Sequence, residues 1–349
     1  MAQTPTIRTI AKLAGVSNAT VSLALRGHPR ITSKVRERIR RIAAEVGYRS
    51  DPVVANLFAQ LRSKKQTPYQ STLGFLYIGV GAQPVTDIPT FREWIGACEM
   101  RAESLGYSVD HFTWTGPELS PARLIQILDT RSIRGLAVTI YSEPAMLPPE
   151  LAPVWQRSAV VIIGRKPVSP ALSFVANDQY STAIQAIDTV VKLGHQRPGL
   201  CINQELDESL QWRFAGGFCA GQLKLPTKRR LPICPFDRLD VDPLAEKKFK
   251  AWIKRHRPDV ILTLHLEIKD WIENMGLRIP NDVGLVHLDK SPGLDWAGMN
   301  QNNELVGRAA VDLIVGQLHR NEWGVPPFQK SMLIGSTWSP GKTLSLGRA

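Results

Sequence analysis

The sequence predicts an α/β protein in which a small all-α helix-turn-helix domain precedes a two-lobed core of doubly wound parallel sheets. Three observations carry this. From Ser71 onward short β-branched runs alternate with amphipathic stretches, the mark of βαβ units whose parallel sheets are covered on both faces. About twelve such runs exceed what one sheet ordinarily holds, so two lobes follow. The first 66 residues, with three short helical periodicities, carry 13 Lys and Arg against 3 acidic residues, whereas the remaining 283 carry 30 against 28. The formal net charge of +12 on 349 residues is thus +10 on a small module and +2 on a long body. A compact basic module suits a polyanion, because neutralising phosphates releases counterions. A solvated Arg-rich helix would carry the same charge, so the helix pattern decides between the two.

The first helix starts near Thr6 and repeats Ile7, Ile10, Ala11 and Ala14 at helical spacing. Gly15 permits a tight turn, and Ser17 is a natural N-cap for a second helix with Val21 and Leu25 on one face. A third helix, over about 33–46, turns Val35, Ile39, Ile42 and Val46 inward and its arginines outward. Three short helices with a glycine turn between the first two make a helix-turn-helix module. In such a module the second helix enters the DNA major groove, so Asn18, Ala19, Thr20, Ser22 and Leu23 are the candidate base readers. Asn18 can pair with adenine, while Ala19 and Leu23 can offer only apolar contact, for example to a thymine methyl. Ser17, Ser22, Thr32, Arg26, Arg30 and Arg36 suit phosphate.

Beyond Tyr48, Asp51 can cap a short helix that has Pro52 at its first position and Val53, Val54, Leu57, Phe58 and Leu61 as its apolar residues. Residues 66–70 then read as a linker. The domains expected are 1–50, a hinge and linker at 51–70, and a body at 71–349. In that body, lobe 1 takes about 71–170 and 301–330 and lobe 2 about 171–300 and 331–349, with chain crossings near 168–174, 299–303 and 328–333. In open α/β sheets ligands bind outside the carboxyl ends of the strands, which here would face the cleft between the lobes.

Several function classes drop out. No run of 18 apolar residues exists and the N-terminus lacks a long apolar signal region, so a soluble cytoplasmic protein with no membrane partner is expected. Cys98, Cys201, Cys219 and Cys234 form no CxxC pair and read as reduced core residues. The tail GSTWSPGKT has five residues between Gly335 and Gly341 where a phosphate loop needs four, and only six residues follow Thr343. With no GxSxG, no HExxH and seven isolated histidines, no catalytic residue, metal or cofactor is expected. Two classes remain: a DNA-binding regulator gated by a small molecule, and a sensor or sugar-binding protein whose basic N-terminus is not a specific DNA reader.

The segments IAKLAGVSNATVSLAL, RGHPRITSKVRERI, GHQRPGL, RFAGG and GLRIPNDVGLVHLD resemble the LacI/GalR (lactose/galactose repressor) family of bacterial transcription regulators, and the resemblance runs along nearly the whole chain. It implies a DNA-binding repressor, homodimeric on a palindromic double-stranded operator, with a periplasmic-binding-protein-like core that takes a sugar or sugar derivative as effector. It also implies DNA contact through the segment ending at Tyr48 and a hinge helix whose Leu57 wedges into the minor groove, an unstacking offset by the contacts a kinked duplex allows. For the ligand it implies Arg213 as a clamp, Asp289 at a strand end, and Ser209 and Gln301. The chain departs from the family at Ala19 and Leu23, where larger polar or basic residues are common, and at Val54 and Ala55, where an Ala-Arg pair is usual. It departs again at Leu264, His265 and Leu266, where an Asn-Asp pair is usual; His265 is the candidate replacement for the asparagine.

Overall fold

The computed structural model describes residues 7–25, 31–46, 71–79, 88–115, 119–141, 146–234 and 242–347. Three helices open the chain: α1 (Ile7–Ala14), α2 (Asn18–Leu25) and α3 (Ser33–Glu45). Ile10, Ala11, Ala14, Val21, Ala24, Ile39 and Ala43 form their buried core, with Val35, Ile42 and Val46 packed half-buried against it. Gly15 ends α1 at φ +62, a conformation costing a residue with a Cβ about 1–2 kcal/mol. The Arg38 guanidinium donates to the Ala14 carbonyl at 2.6 Å, which satisfies an open end of α1 and ties α3 to it.

The body runs β1 (Ser71–Gly79), α4 (Pro89–Ser104), β2 (Tyr107–Trp114), α5 (Pro121–Thr130), β3 (Gly135–Tyr141), α6 (Ala152–Arg157), β4 (Ala159–Ile163) and β5 (Phe174–Asn177). There follow α7 (Gln179–Lys192), β6 (Pro198–Cys201), α8 (Gln204–Ser209), α9 (Arg213–Gln222), α10 (Ala245–His256), β7 (Val260–Thr263), α11 (Glu267–Glu273) and β8 (Gly284–His287). Last come β9 (Ala297–Asn300), α12 (Asn303–Arg320), β10 (Ser331–Ile334) and β11 (Thr337–Ser339). Among the described residues these strands make two sheets, one ordered β10-β5-β4-β3-β1-β2 and one ordered β11-β9-β8-β7-β6. All neighbours pair in parallel except β11 with β9.

Each sheet is covered on both faces, which is why its strands read as near-continuous apolar runs. In β1, Phe75 and Tyr77 face α4 and α12, whereas Leu76 and Ile78 face α5 and α6. In the second sheet, Leu262 and Val286 pack with α7 and α9, and Ile261 and Leu285 with α10 and α11. Gly217 of α9 lies against the Tyr180 carbonyl of α7, an approach that any side chain there would block.

Two expectations change. β5 and β10 both belong to the first sheet, so the crossings expected near 168–174 and 328–333 fall later, after Asn177 and after Ile334. Strands of only four residues, here Phe174–Asn177 and Ser331–Ile334, leave such boundaries weakly marked in the sequence. The four cysteines are free, but Cys219 is exposed and only the other three are core residues. Cys219 falls on the outer side of α9, whose inner side is taken by Phe214 and Phe218.

Candidate functional site

A cavity of about 390 Å³ lies between the two sheets, within the range of small-molecule sites. Its walls come from the carboxyl ends of strands in both: Tyr141 ends β3, Gly164 and Arg165 follow β4, and Asn177 and Gln179 flank the exit of β5. From the second sheet come Leu264 after β7, His287 and Asp289 at and after β8, and Gln301 after β9. Thr90, Phe91 and Trp94 reach it from the first turns of α4. Gly164 sits at φ +91 with the Trp94 ring against it; a Cβ there would come within 2.5 Å of that ring.

One hydrogen-bonded chain crosses the cleft. The Thr90 hydroxyl donates to Asp289 Oδ2 at 2.9 Å, and Asn303 Nδ2 donates to Asp289 Oδ1 at 3.2 Å. Asn177 Nδ2 donates to the Gln301 carbonyl at 2.9 Å and to Asn303 Oδ1 at 3.0 Å. Burial pushes the Asp289 carboxyl up, against the lowering effect of the Thr90 bond, and burial likewise raises Glu93, which also bonds Asn303. The neighbouring His287 accepts the Asp289 backbone N–H on Nδ1 at 3.2 Å, and its burial holds the imidazole below its ordinary range.

Of the ligand residues expected from the sequence, Asp289 and Gln301 line the cavity, and Ser209, Arg213 and His265 do not. Gln301 Nε2 donates to the Leu288 carbonyl at 3.0 Å. Ser209 donates to the Leu206 carbonyl at 2.6 Å and finishes α8. Arg213 stands one layer back: it donates to Gln179 Oε1 at 3.3 Å and lies over the Phe174 ring at 5.4 Å. Burial lowers its pKa, opposed by Asp178. His265 Nε2 accepts the Asn203 backbone N–H at 3.1 Å, which only an unprotonated ring nitrogen can do. Burial, followed by the neighbouring His287, takes it to about 4.

The segment from Leu206 to Phe214 explains why RFAGG follows where it does. Gln211 and Trp212 both take positive φ, turning the chain sharply between α8 and α9. The buried Asp207 carboxylate accepts the Phe214 and Ala215 backbone N–H groups at 3.0 and 2.9 Å, capping α9 from the preceding helix. That joint presents Leu206, Leu210 and Phe214 to the cavity. Sequence reasoning missed these three, together with Thr90, Phe91, Trp94, Tyr141, Arg165, Asn177, Gln179 and His287. The positional rule of strand carboxyl ends would have found Tyr141, Arg165, Asn177 and His287; the apolar residues carried only a core signal.

At the N-terminal module, Ser17 Oγ accepts the Thr20 backbone N–H at 3.1 Å and caps α2 as expected. Asn18 is exposed, as are Ser17 and Thr32, and Thr20 is half-buried. Arg36 donates to the Ile31 carbonyl at 3.0 Å. Ala19, Ser22 and Leu23 lie in α2, but their side chains, like Arg26, Arg30, Tyr48 and Leu57 altogether, fall outside the described residues.

Residues 6–51 match the family model described as "Bacterial regulatory proteins, lacI family". The chain is 26% identical over 342 residues to the HTH-type transcriptional repressor CytR of Escherichia coli (strain K12), covering 91% of each. Its fold is similar to that of a transcriptional regulator CelR–cellobiose complex, at TM-score 0.57 and 18% identity, over 97% of this chain and 99% of that one. It is also similar to the Lac repressor dimer bound to operator and the anti-inducer ONPF, at TM-score 0.56 and 18% identity, over 98% and 100%.

Proposed function

For a chain that belongs to the lacI family of bacterial regulatory proteins, and is a DNA-binding transcription regulator rather than an enzyme, we propose a repressor whose operator affinity is set by a small molecule held in the cavity between the sheets. Residues 1–50 are its reading head, 51–70 its hinge and linker, and 71–349 its effector-binding and dimerising body, acting in the cytoplasm of a bacterium. The observation that carries this reading is the pairing of a basic N-terminal module, +10 over residues 1–66, with a cavity bridged from lobe to lobe by Thr90 and Asp289. A homodimer holds two heads over the half-sites of a palindrome, and Leu57 of each hinge helix enters the minor groove between them. Asn18, Ala19, Thr20, Ser22 and Leu23 read bases; Ser17, Thr32, Arg26 and Arg30 hold phosphates and Tyr48 adds a contact where the head ends.

Ligand in the cavity alters the Thr90–Asp289 closure and so the spacing of the heads. By linkage the operator changes ligand affinity by the same factor, typically about 1–3 kcal/mol. Asp289 and Gln301 act at the ligand, while Arg213, Ser209 and His265 brace the wall behind it. A sugar-like effector, expected from the sequence, has support in the cellobiose of one similar structure.

A gel shift of the intact chain against a pool of palindromic DNAs tests the reading. Selective retention of a few sequences is expected, with Leu57→Ala weakening it; equal, salt-sensitive retention of every sequence refutes it.

A further inference from the structure

The four cysteines of the chain do not share one environment. Cys98 gives its thiol hydrogen to the Gly307 carbonyl at 3.3 Å, between α4 and α12, and Cys219 is exposed on α9. Cys201 and Cys234 face each other. We infer that these two form an oxidation site: a buried dithiol that hydrogen peroxide converts to a disulfide, at the root of a helix that walls the cavity. Disulfides that form in a reducing compartment are characteristically transient and redox-sensing.

Three ties hold the pair. Cys201 ends β6, and Cys234 lies beside it as a parallel bridge, its backbone N–H donating to the Leu200 carbonyl at 2.9 Å. Chains paired in this way run about 4.8 Å apart, inside the Cα separation of about 4.4–6.8 Å that a disulfide spans. The segment before Cys234 is pinned twice more. Gln222 of α9 grips the backbone N–H and the carbonyl of Leu231, at 2.7 and 3.1 Å, and Trp252 Nε1 of α10 donates to the Pro232 carbonyl at 3.0 Å. With the backbone so held, the two thiols meet in a hydrogen bond. Burial, then that bond, keeps the proton on Cys201.

The chemistry follows from that arrangement. The Cys234 sulfur attacks one oxygen of the peroxide, the O–O bond breaks, and the other oxygen leaves as water with the Cys234 thiol proton. Cys234 is then a sulfenic acid. The Cys201 sulfur attacks the Cys234 sulfur, the S–O bond breaks, and the hydroxyl leaves as water with the Cys201 proton. The two sulfurs lose two electrons and the peroxide oxygens gain them. At 0% and 1% exposure the two residues are open to a small neutral oxidant and closed to a bulky one such as glutathione disulfide.

The site bears on the cavity through Asn203, two residues after Cys201. Asn203 donates its backbone N–H to His265 Nε2 at 3.1 Å and accepts the Leu206 N–H on Oδ1 at 3.0 Å, capping α8. Leu206 in α8 and Leu210 just past it line the cavity. A crosslink at Cys201 restrains the residues that set this cap. On the reading of the cavity as the effector site, effector binding thus becomes responsive to oxidation; the crosslink itself does not depend on that reading.

Hydrogen peroxide treatment of the intact protein carrying Cys219→Ser, which removes the exposed thiol, tests this. With four cysteines in the chain, thiols counted after denaturation are expected to fall from three to one. The intact mass should drop by two hydrogens, a non-reducing peptide map should join Cys201 to Cys234, and dithiothreitol should restore the lost thiols. Adding Cys234→Ala is expected to leave the Cys201 thiol intact through the same treatment. In the crosslinked protein the Leu206 amide should exchange with solvent severalfold more slowly, with the amides of β1 unchanged. The inference is overturned if all three thiols survive peroxide that oxidises free cysteine completely, or if the map shows sulfinic or sulfonic acids in place of the crosslink. It is overturned too if Cys201 is lost as fast without Cys234 as with it. A crosslink that leaves Leu206 exchange unchanged refutes the coupling to the cavity wall and leaves the oxidation site standing.

Discussion

Among the described residues, seven buried side chains, four of them alanines, hold the three helices of the head together, while in the body each face of each sheet has its own cluster, with Trp155, Phe214, Phe218 and Phe249 wholly buried. A core of small residues lets helices cross closely but yields little apolar burial, so the head has little stability to lose. The body can absorb a lost cap or a strained turn and still fold. The division suits the proposed roles: a small basic head that docks on DNA, and a larger body that carries a signal across a cavity.

The largest break in this contrast should come from Ile39→Ala, which empties the centre of the head at a cost of about 2–5 kcal/mol. Loss of DNA binding and of the head's amide protection is expected, with the thermal midpoint of the body unmoved. Next is Gly164→Val, which combines a positive φ with a collision against Trp94 and should cost about 1–3 kcal/mol. Here the body's midpoint falls while affinity for non-specific DNA stays the same. Asp207→Ala removes the cap of α9 and should lower the body's midpoint by about 1–2 kcal/mol of stability.

The smallest effect is one of pH. His265 is held neutral, at about 4 against its ordinary 6.5, so the unfolded chain binds more protons than the folded one between those values. Stability from this group is complete above pH 6.5 and is lost as pH falls towards 4, on the order of 1 kcal/mol of it by pH 6. Comparing the pH dependence of unfolding with that of His265→Asn isolates it; an unchanged slope contradicts the buried neutral ring.

The same contrast sets what could be read in advance. The head is written in one contiguous stretch, where spacing alone places Ala11, Gly15, Ser17 and Val21, and its helix-turn-helix form was legible. So was the two-sheet plan of the body, because strands covered on both faces announce themselves as apolar runs. The cavity was legible only in part. Its bridge joins Thr90 to Asp289 across 199 positions, and its apolar lining has the same composition as any core. Arg213 was expected as a clamp on the strength of the family resemblance, yet its guanidinium is taken by Gln179 and Phe174. Arg165, in a short turn after a strand, carried no such signal.

The central claim is that the lobe-to-lobe bridge governs the head. Fluorescence anisotropy of the operator recovered from the palindrome pool, titrated with intact Thr90→Val protein, tests it most directly. Thr90→Val keeps the shape and deletes the hydroxyl that reaches Asp289. Operator affinity should change by about fivefold or more, with affinity for random DNA unaltered. Identical operator affinity in the two proteins would contradict the account.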